Sequence, residues 1–546
     1  MDDVKTAELL LACLENEGVE YMFGVPGEEN IDVMDALMDS RIEFIVTRHE
    51  TGAAFMAGTY GRLTGKPAAC LATLGPGATN LMTGVANANM DNSPLIAITG
   101  QAGLDRHHKI SHQHYDLVSM YKPVTKWNTQ VKSPDTIPEI VQKAVEQSTG
   151  EKPGAVHIDL PEDVAGMEAG GSPLPVRSDA EGKASEKNIN EALEIIQRSN
   201  HPLILAGNGV ARAGAAKELI ELVEKQDIPV VHTFMGKGAL PRDHERNLLT
   251  AGLSGNDYIT CGFREADLII TVGFDMAEFP PKNWNPDGRT PILHVDGKEA
   301  EVDAYYPAAV QVTGCIRTNL AGLTQSLSSR TRDIDWVKNV RTQALEELSS
   351  FQESEEFPVK PQKIIADLRD VLNEEDIVIS DVGAHKMWMA RMYHTSRPNT
   401  CLISNGLASM GVAVPGAVAA KMVRPDRTVV AVCGDGGFQM TGAELETAVR
   451  LNLPVIILLW RDNGYGLIEW HQRRHFERTS HISFGNPDFM ELARAYGLQA
   501  YGINHPRDLK PALKEAVSLQ KPVLIDCPVD YGENMKLTEK LGDILC

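Results

Sequence analysis

Two aspartates that follow apolar segments have the spacing that most directly indicates chemistry. Asp435 lies in a turn with glycines at 434, 436 and 437 after the apolar run 428–433, and Asp462 follows the apolar run 454–460. If these runs are parallel strands joined by a helical crossover, the two carboxylates emerge at the same edge of the sheet. They repel each other there unless a cation lies between them, and Mg²⁺ prefers such oxygen ligands when phosphate completes its shell. The pattern predicts a metal-bridged diphosphate site.

The residues around Asp435 favour a phosphate ligand. Glycine lets backbone N–H groups come close to phosphate, and the start of the next helix adds a favourable field. Thr441 and Glu444 predict a capping box that opens a helix through about Arg450. No lysine follows the glycines, so a kinase-type phosphate loop is disfavoured. The alternative interpretation is that both aspartates only cap helices in an ordinary α/β protein.

Glu50 is a second candidate for chemistry. It follows the apolar run 42–47 and precedes a stretch of small and apolar residues at 51–57. A carboxyl group that is shielded from water in this way can hold or transfer a proton near neutral pH, whereas a nearby helix start favours its ionised form. Read alone, a glutamate in this place is more often a helix-start acid.

The elements that must position these residues form two similar stretches of strands and helices, with a third stretch between them. A helix is predicted over residues 5–16, ended by Gly18. Short apolar runs between helical patterns and glycine turns predict parallel sheets with helices on both faces. The fold class is therefore α/β, with three doubly wound parallel-sheet domains at 1–168, 188–325 and 360–532. The runs lie at 19–23, 42–47, 68–73, 94–99, 155–159, 376–380, 401–404, 428–433, 455–460 and 522–526.

A short repeated sequence pattern links the first and last stretches. Lys152-Pro153 leads through a predicted strand to Asp159-Leu160-Pro161-Glu162-Asp163, and Lys521-Pro522 leads through another to Asp526-Cys527-Pro528-Val529-Asp530. Both copies have the pattern D-x-P-x-D at the end of a similarly built segment. The repeated pattern predicts that the first and last domains share one fold.

The composition limits the classes of function. The chain has 546 residues, with 52 lysines and arginines against 74 aspartates and glutamates, for a net charge of −22. Such a surface repels phosphate backbones and anionic lipids. No apolar run reaches the ~18 residues of a membrane-spanning helix. We expect a cytoplasmic protein with no nucleic-acid or membrane partner.

Six short motifs stand along the chain in an order that resembles one enzyme family. They are Arg48-His49-Glu50, Gly75-Pro76-Gly77-Ala78-Thr79-Asn80, Ser409-Met410-Gly411, Gly434-Asp435-Gly436, the segment 444–451 (ELETAVRL) and Asp462-Asn463-Gly464. Together they resemble the thiamine diphosphate-dependent enzymes, and most of all the acetolactate synthases of the catabolic, FAD-independent type. The resemblance covers nearly the whole chain, although Asp462 stands where many members have Asn. It implies that the three domains are pyrimidine-binding, central and diphosphate-binding.

The resemblance also implies roles for individual residues. Mg²⁺ is bound by Asp435, Asp462 and the Gly464 carbonyl. Glu50 hydrogen-bonds the pyrimidine ring of the cofactor and favours the tautomer that removes the thiazolium proton, while Met410 is the apolar wedge that keeps the cofactor bent. The other implied cofactor contacts are Gly27, Gly406, Gly436, Gly437, Asn463 and Tyr465, and the implied substrate contacts are His112, Gln113, Trp470 and His471.

The implied activity is the decarboxylation of pyruvate on thiamine diphosphate and the addition of the resulting carbanion-enamine to a second 2-keto acid, which gives 2-acetolactate. This carboligation is a reaction of branched-chain amino acid biosynthesis. The implied assembly is a homodimer or homotetramer with active sites between subunits, in which Glu50 comes from one subunit and the diphosphate site from its partner.

Several features leave alternatives open. His471 replaces a glutamine and Ala408 a polar residue on the implied substrate side, so a 2-keto acid decarboxylase that releases an aldehyde is the alternative function. Gly207-Asn208-Gly209 is a weak dinucleotide signal, which keeps a flavin-dependent oxidoreductase as a further alternative. FAD is not expected, because the segment 273–279 resembles the flavin-free branch. The third alternative is a binding or regulatory homologue without catalysis. The histidines at 107, 108, 112 and 114 are interpreted as loop residues, since no carboxylate completes a zinc ligand set.

Overall fold

The computed structural model describes residues 4–177, 182–253 and 258–535. Within these residues the chain forms three six-stranded sheets and one two-stranded pair. The chain is divided into two compact units. The first contains the chain up to residue 177 together with 406–426 and 437–455, and the second contains the rest of the described chain.

The N-terminal sheet lies in the first unit and has the strand order β3-β2-β4-β5-β7-β6, with every neighbouring pair parallel. A short antiparallel pair, β1 with β8, lies outside it. The strands are β1 (Val4–Lys5), β2 (Tyr21–Gly24), β3 (Glu43–Val46), β4 (Ala68–Ala72), β5 (Leu95–Gln101), β6 (Trp127–Gln130), β7 (Ala155–Pro161) and β8 (Glu168–Ala169). The helices are α1 (Thr6–Asn16), α2 (Ile31–Ala36), α3 (Glu50–Thr64), α4 (Pro76–Met90), α5 (Leu117–Tyr121), α6 (Ile137–Thr149) and α7 (Glu162–Ala165).

The apolar pattern explains these elements. Strands β4, β5 and β7 are buried along their whole length, as strands of a parallel sheet covered on both faces must be. Helix α1 buries Leu10 and Leu14 in the core of this sheet, and the chain leaves the helix through Gly18, whose φ of 82° only glycine adopts without strain.

The central sheet lies in the second unit with the order β11-β10-β9-β12-β13-β14, and all its neighbouring pairs are parallel. This is the doubly wound order in which the chain reverses direction next to its first strand. The strands are β9 (Pro202–Ala206), β10 (Val230–His232), β11 (Asn247–Thr250), β12 (Leu268–Val272), β13 (Ile292–Asp296) and β14 (Ala308–Thr313). The helices are α8 (Glu186–Arg198), α9 (Asn208–Arg212), α10 (Ala216–Gln226), α11 (Tyr258–Glu265), α12 (Ile316–Ser326) and α13 (Asp335–Ser349).

The C-terminal sheet also lies in the second unit, with the order β16-β15-β17-β18-β20-β19. Its strands are β15 (Ile377–Ser380), β16 (Cys401–Ile403), β17 (Val429–Gly434), β18 (Val455–Arg461), β19 (Gln499–Gly502) and β20 (Val523–Pro528). The helices are α14 (Pro361–Val371), α15 (Ala384–Met392), α16 (Ala413–Val423), α17 (Asp435–Thr441), α18 (Leu445–Arg450), α19 (Gly466–Phe476), α20 (Phe489–Tyr496) and α21 (Leu509–Ser518). Residues of the central and C-terminal sheets, among them Leu203, Ile269, Val430 and Ile525, share one apolar core.

The N-terminal and C-terminal sheets have the same strand order when their strands are numbered along the chain. In both, the second strand is at one edge and the fifth at the other. The two D-x-P-x-D motifs begin at equivalent positions, in β7 at Asp159 and in β20 at Asp526. The predicted α/β class with three parallel-sheet domains is confirmed. In the part of the chain that the structure describes, no helix has both the length and the apolar character needed to cross a membrane.

Candidate functional site

The two aspartates singled out by their spacing lie together in the second unit. Asp435 begins α17 directly after β17, and Asp462 follows β18, the neighbouring strand in the sheet. Asp435 is almost completely buried, with 1% of its surface exposed. Burial and the adjacent charge of Asp435 raise the pKa of Asp462 to about 8. The two carboxyl groups are therefore close enough for one to hold the proton of the pair.

Three hydrogen bonds fix the carboxylate of Asp435. Its Oδ1 accepts from the N–H of Gly436 at 2.9 Å, and its Oδ2 accepts from the N–H of Asn463 at 2.7 Å and from Nδ2 of Asn486 at 2.8 Å. Burial raises the pKa of Asp435, and these bonds oppose the rise. Asn486 also has a buried Oδ1 without a hydrogen-bond partner. Asn486 was missed in the sequence, because only the folded loop brings it to Asp435.

This set of donor atoms fits a hard divalent cation. A buried pair of carboxyl groups that retains a proton in the absence of metal exchanges that proton for Mg²⁺, which prefers oxygen ligands. Among the described residues no group of three or more His, Cys, Asp or Glu side chains is placed to hold a metal. Carbonyl, water or phosphate oxygens therefore have to complete the shell. Gly464 lies in the same loop, where it forms an isolated antiparallel bridge with Ser483.

The turn at Gly436 requires glycine because aromatic rings lie against it. A Cβ atom there would lie 3.0 Å from Cε1 of Tyr465 and 3.3 Å from Cζ of Phe484. The two rings are 4.9 Å apart, which makes a compact wall beside the turn. The side on which a larger residue would place its side chain is thus already occupied by these two rings.

Asp462 also lines a cavity of about 380 Å³. Helix α19 contributes Glu469, Trp470 and Arg473 to its wall, and Tyr531 closes another side. Trp470 is buried, whereas His471 on the same helix is exposed and does not line this cavity. Partial burial and the charges of Arg474 and His475 lower the pKa of His471.

Glu50 lies in the first unit, as the first residue of α3. Its Oε2 accepts a hydrogen bond from Nδ2 of Asn80 at 3.1 Å and lies 4.0 Å from Nδ1 of His49. The Glu50 side chain is 13% exposed. Gly77 leaves room for it, since a Cβ there would lie 3.4 Å from the other carboxylate oxygen. The carboxyl group is held in a defined position and is largely shielded from water.

Glu444 holds the segment that leads to Glu50. It is buried, and its Oε1 accepts hydrogen bonds from the N–H groups of Arg48 at 3.0 Å and His49 at 3.1 Å. A Cβ on Gly52 would lie 2.5 Å from the same oxygen. Burial raises the pKa of Glu444.

The predicted capping box at Thr441 and Glu444 is wrong. The Thr441 hydroxyl donates to the carbonyl of Gly411 at 2.7 Å and accepts no capping hydrogen bond from the turn that follows it. The helix predicted from Thr441 through about Arg450 begins as a 3-10 turn at Gly442–Glu444 and continues as α18 to Arg450. The tertiary partners of both side chains outcompete the local cap.

The loop that carries Met410 is tied to the end of α4. The N–H of Gly406 donates to Oδ1 of Asp91 at 2.8 Å, and the N–H of Ser409 donates to Oδ1 of Asn87 at 3.3 Å. A Cβ on Gly406 would lie 2.3 Å from the carbonyl oxygen of Met90, so only glycine fits there. Met410 itself is half-buried.

His112 and Gln113 lie on an exposed loop of the first unit. Gln113 has a φ of 55° and packs on Gly75, where a Cβ would lie 2.8 Å from that of Gln113. In the same loop His107 and His114 stack with their rings 4.5 Å apart. Gly27, another of the implied cofactor contacts, also has no room for a side chain. A Cβ atom there would lie 2.3 Å from the Cβ atom of Thr73.

The remaining implied residues are placed as follows. Gly437 is the third residue of α17. Asn463 adopts a φ of 60° in the loop after β18. The structure therefore brings Asp435, Gly436, Asp462, Asn463, Gly464 and Tyr465 together within the second unit, and Glu50, with Asn80, within the first.

Comparisons with known proteins agree with this arrangement. Family models of thiamine pyrophosphate enzymes match three stretches: the N-terminal TPP binding domain at 4–120, the central domain at 189–323 and the C-terminal TPP binding domain at 381–527. The chain is 34% identical to an acetolactate synthase of Bacillus subtilis, over 99% of this chain and 96% of the relative.

Two other relatives are similar over comparable lengths. A probable acetolactate synthase large subunit of Methanocaldococcus jannaschii is 36% identical, over 99% of this chain and 94% of its own. A catabolic acetolactate synthase of Raoultella terrigena is 33% identical, over 98% and 97%. The chain belongs to the thiamine pyrophosphate enzymes, within the acetolactate synthase family.

Proposed function

We propose that this protein decarboxylates pyruvate with thiamine diphosphate and Mg²⁺ and joins the remaining two-carbon unit to a second 2-keto acid, giving 2-acetolactate. The observation that carries the proposal is the contact of the Asp435 and Asp462 carboxyl groups beside a glycine turn, inside the stretch that matches the C-terminal TPP binding domain. The names of the relatives support the product.

The cation and the diphosphate are assigned to the second unit. Asp435, Asp462 and the Gly464 carbonyl hold Mg²⁺, and the backbone at Gly436 and Asn463 receives the diphosphate, with Gly437 the next residue along the chain. The hydrogen bonds from Gly436, Asn463 and Asn486 keep the Asp435 carboxylate in place before the cation arrives, which lowers the cost of ordering the site. Tyr465 supports the turn.

The group that holds the proton, Glu50, belongs to the first unit. Bound thiamine diphosphate supplies a nucleophilic carbon and a store for the electron pair that decarboxylation releases. Glu50 hydrogen-bonds the pyrimidine ring and holds the proton that allows the nucleophilic carbon to form. Its largely buried carboxyl group, oriented by Asn80, suits this role, because the proton then passes along one fixed path. Gly27, Gly406 and Met410 contact the cofactor.

The substrate side is assigned to His112, Gln113, Trp470 and His471. Trp470 offers a buried apolar surface beside Asp462, whereas the other three are polar and stand on or near exposed surface. An apolar surface excludes the water whose proton would otherwise quench the two-carbon unit and release an aldehyde. We assign the product to 2-acetolactate for this reason, and the decarboxylase is the outcome if water enters.

A flavin has no part in the proposal. In a dinucleotide fold the pyrophosphate is bound at the helix start after the first strand, which here is the Gly207–Asn208 turn. The carboxylate of Glu278 already accepts a hydrogen bond from the Asn208 N–H at 3.2 Å. Gly207 and Gly209 pack against Gly273, with added Cβ atoms 2.4 Å from it, so the packing alone explains both glycines.

The assembly is proposed to be a homodimer or a dimer of dimers. In this arrangement each active site combines Glu50 of one subunit with the Asp435–Asp462 pair of the other, and the sites lie between subunits.

The chain has a net charge of −22, which repels small anionic keto acids. They can bind only where local positive groups such as Mg²⁺ outweigh this charge. We propose that the protein works in the cytoplasm.

The test supplies pyruvate, thiamine diphosphate and Mg²⁺ to the purified protein and separates acetolactate from acetaldehyde. We expect acetolactate as the main product, its loss when a chelator removes the metal, and its return when Mg²⁺ is restored. Yellow colour and flavin absorbance in the purified protein would contradict the flavin-free assignment.

The identity of the product distinguishes the acetolactate synthase from the 2-keto acid decarboxylase. Acetaldehyde as the main product would replace the synthase by the decarboxylase. Full activity of Asp462→Ala in the presence of Mg²⁺ would contradict the metal assignment. Asp508→Ala, at an exposed position in the same unit and outside the proposed metal ligands, is the matched control.

A further inference from the structure

A cavity of about 400 Å³ in the second unit is lined by residues to which the proposed reaction assigns no role. Its walls come from β11, α13, α14 and the chain after α15. We name it the arginine cavity, because Arg242, Arg341 and Arg369 all line it, together with His394. Its volume lies in the range of pockets that hold small organic molecules.

Two of its three arginines are anchored by neutral groups. Arg369 donates to the Tyr393 hydroxyl at 2.9 Å and to the carbonyl of Leu372 at 2.7 Å. Arg341 donates to the carbonyl oxygens of Asn247 and Asp243. Among the described residues, neither guanidinium forms an ion pair with a carboxylate. Their position is fixed while their charge stays available to a ligand.

The third arginine and the acidic lining do not cancel this charge. Arg242 pairs with Glu374 at 3.3 Å, on a half-exposed surface where such a pair is weak. Two aspartates also line the cavity: Asp370 is paired with Lys510 at 2.7 Å, while Asp243 and the nearby Glu245 act electrostatically on Arg341. Three arginines against two aspartates leave the lining itself with a net positive charge.

Two residues of this lining also have buried polar atoms without hydrogen-bond partners in the described structure. His394 is 6% exposed, and in the described structure neither of its ring nitrogens has a hydrogen-bond partner. Gln362 is 5% exposed, and its Oε1 likewise has none. Burial and the charge of Lys237 keep the His394 pKa well below its ordinary value, so the neutral ring offers one donor and one acceptor. Such groups are costly to bury unless a ligand or water satisfies them.

We propose that the arginine cavity binds a small organic dianion, whose two charges come either from a phosphate monoester or from two carboxylates. Arg341 and Arg369 bind its charged end, and the polar residues His394 and Gln362 flank the site. Leu249, Ile365 and Met392 form the apolar side of the lining against which that body packs. Guanidinium groups match the planar, bidentate geometry of both kinds of anion better than a lysine would.

The test is calorimetric titration of the purified full-length protein with saturating thiamine diphosphate and Mg²⁺, so that the diphosphate site is filled. The probes are inorganic phosphate, ribose 5-phosphate and glutarate. We expect at least one probe to bind, and the phosphate and dicarboxylate arms identify the source of the charge. Arg341→Gln should weaken binding by about tenfold or more, as expected for a lost charge-assisted hydrogen bond.

Ala366→Trp tests the same cavity without removing a charge, because the larger ring fills the space that Ala366 lines. We expect it to abolish binding. Arg198→Gln, on the exposed face of α8, is the matched control and should leave binding unchanged. If none of the probes binds, or if binding is unchanged in both cavity variants, the proposal is overturned. Since binding is measured directly, this result stands apart from whether the product is acetolactate.

Discussion

At the scale of single residues, the proposed chemistry depends on carboxyl groups placed in different surroundings. Asp435 is buried beside the partly buried Asp462, which suits a cation, while Glu50 is held singly by an amide. Paired and single carboxyl groups perform different tasks because a pair binds positive charge and an isolated, shielded carboxyl group handles a proton. Each role can be tested by removing the charge and keeping the shape.

Glu50→Gln should abolish acetolactate formation while cofactor binding persists. Glutamine keeps the size and can still accept from Asn80 but cannot carry the proton, so a fall of at least about a hundredfold is expected from the usual contribution of a positioned acid or base. Product formation is measured alongside Mg²⁺-dependent binding of thiamine diphosphate. Glu43→Gln, on exposed β3, is the control. Normal turnover in Glu50→Gln would show that the proton role is wrong.

Glu444→Ala should destabilise the first unit and reduce activity. The substitution leaves the buried N–H groups of Arg48 and His49 without an acceptor, at a cost of about 1–3 kcal/mol each. Glu444→Gln keeps the acceptor oxygen and should restore both properties, which a role for the charge itself would not allow. Urea denaturation and the acetolactate assay measure the two effects. Equal activity in the alanine variant would remove Glu444 from the positioning of Glu50.

The candidate residues divide into those that the sequence could reveal and those that it could not. Asp435, Asp462 and Glu50 were predictable because each follows an apolar run, and the ends of parallel strands meet at one sheet edge. Asn486 and Glu444 act through contacts between segments far apart in sequence, 51 residues for Asn486 and Asp435 and 396 residues for Glu444 and Arg48. No local pattern encodes such contacts, and at Glu444 the local pattern pointed to a helix cap.

At the scale of elements, the N-terminal and C-terminal sheets follow the predicted apolar runs except at one edge of each. The inner strands were predicted because they are buried on both faces and are continuously apolar. β6 (WNTQ) and β19 (QAYG) were missed, since both are edge strands with partly exposed, polar residues. They occupy equivalent places in the two related sheets. An edge strand needs only one neighbour and therefore carries a weaker sequence signal.

Asp159→Asn should stabilise the protein more at pH 7.5 than at pH 5. Asp159 of β7 lies opposite Thr99 of β5, and burial raises its pKa to about 6 in the folded state from 3.8. The folded state thus binds the proton more tightly than the unfolded chain, so stability is lost as the pH rises through about 6. A rise from 3.8 to about 6 corresponds to about 3 kcal/mol at neutral pH, and roughly half of this is already lost at pH 5.

The measurement compares urea denaturation of the two proteins at both pH values. Asn can keep the network, because its carbonyl accepts from Gln130 and its amide donates to Thr99, which turns its own hydroxyl to the neutral His157. A variant that is less stable at both pH values would show that the ionised form of Asp159 contributes more than its burial costs.

At the scale of the whole molecule, the candidate residues are divided between the two compact units. Glu50 belongs to the first and the Asp435–Asp462 pair to the second. Neither unit contains a full set of the groups that the reaction requires, since one supplies the proton-handling acid and the other the cation site. The proposed assembly, in which subunits exchange these parts, therefore makes a prediction that no single-chain arrangement makes.

Co-expression of Glu50→Gln and Asp435→Ala chains should restore activity that neither variant has alone. In a mixed dimer with shared sites, one site receives both substitutions and the other receives none. Random pairing makes half of the dimers mixed, so about a quarter of all sites should regain wild-type composition. Purification by two different affinity tags isolates the mixed dimer, in which half of the sites should work.

Co-expressed Asp435→Ala and Asp462→Ala chains provide the control, because every shared site then carries one substitution. Inactive mixed dimers of the first pair would place Glu50 and the metal pair of one site in the same chain.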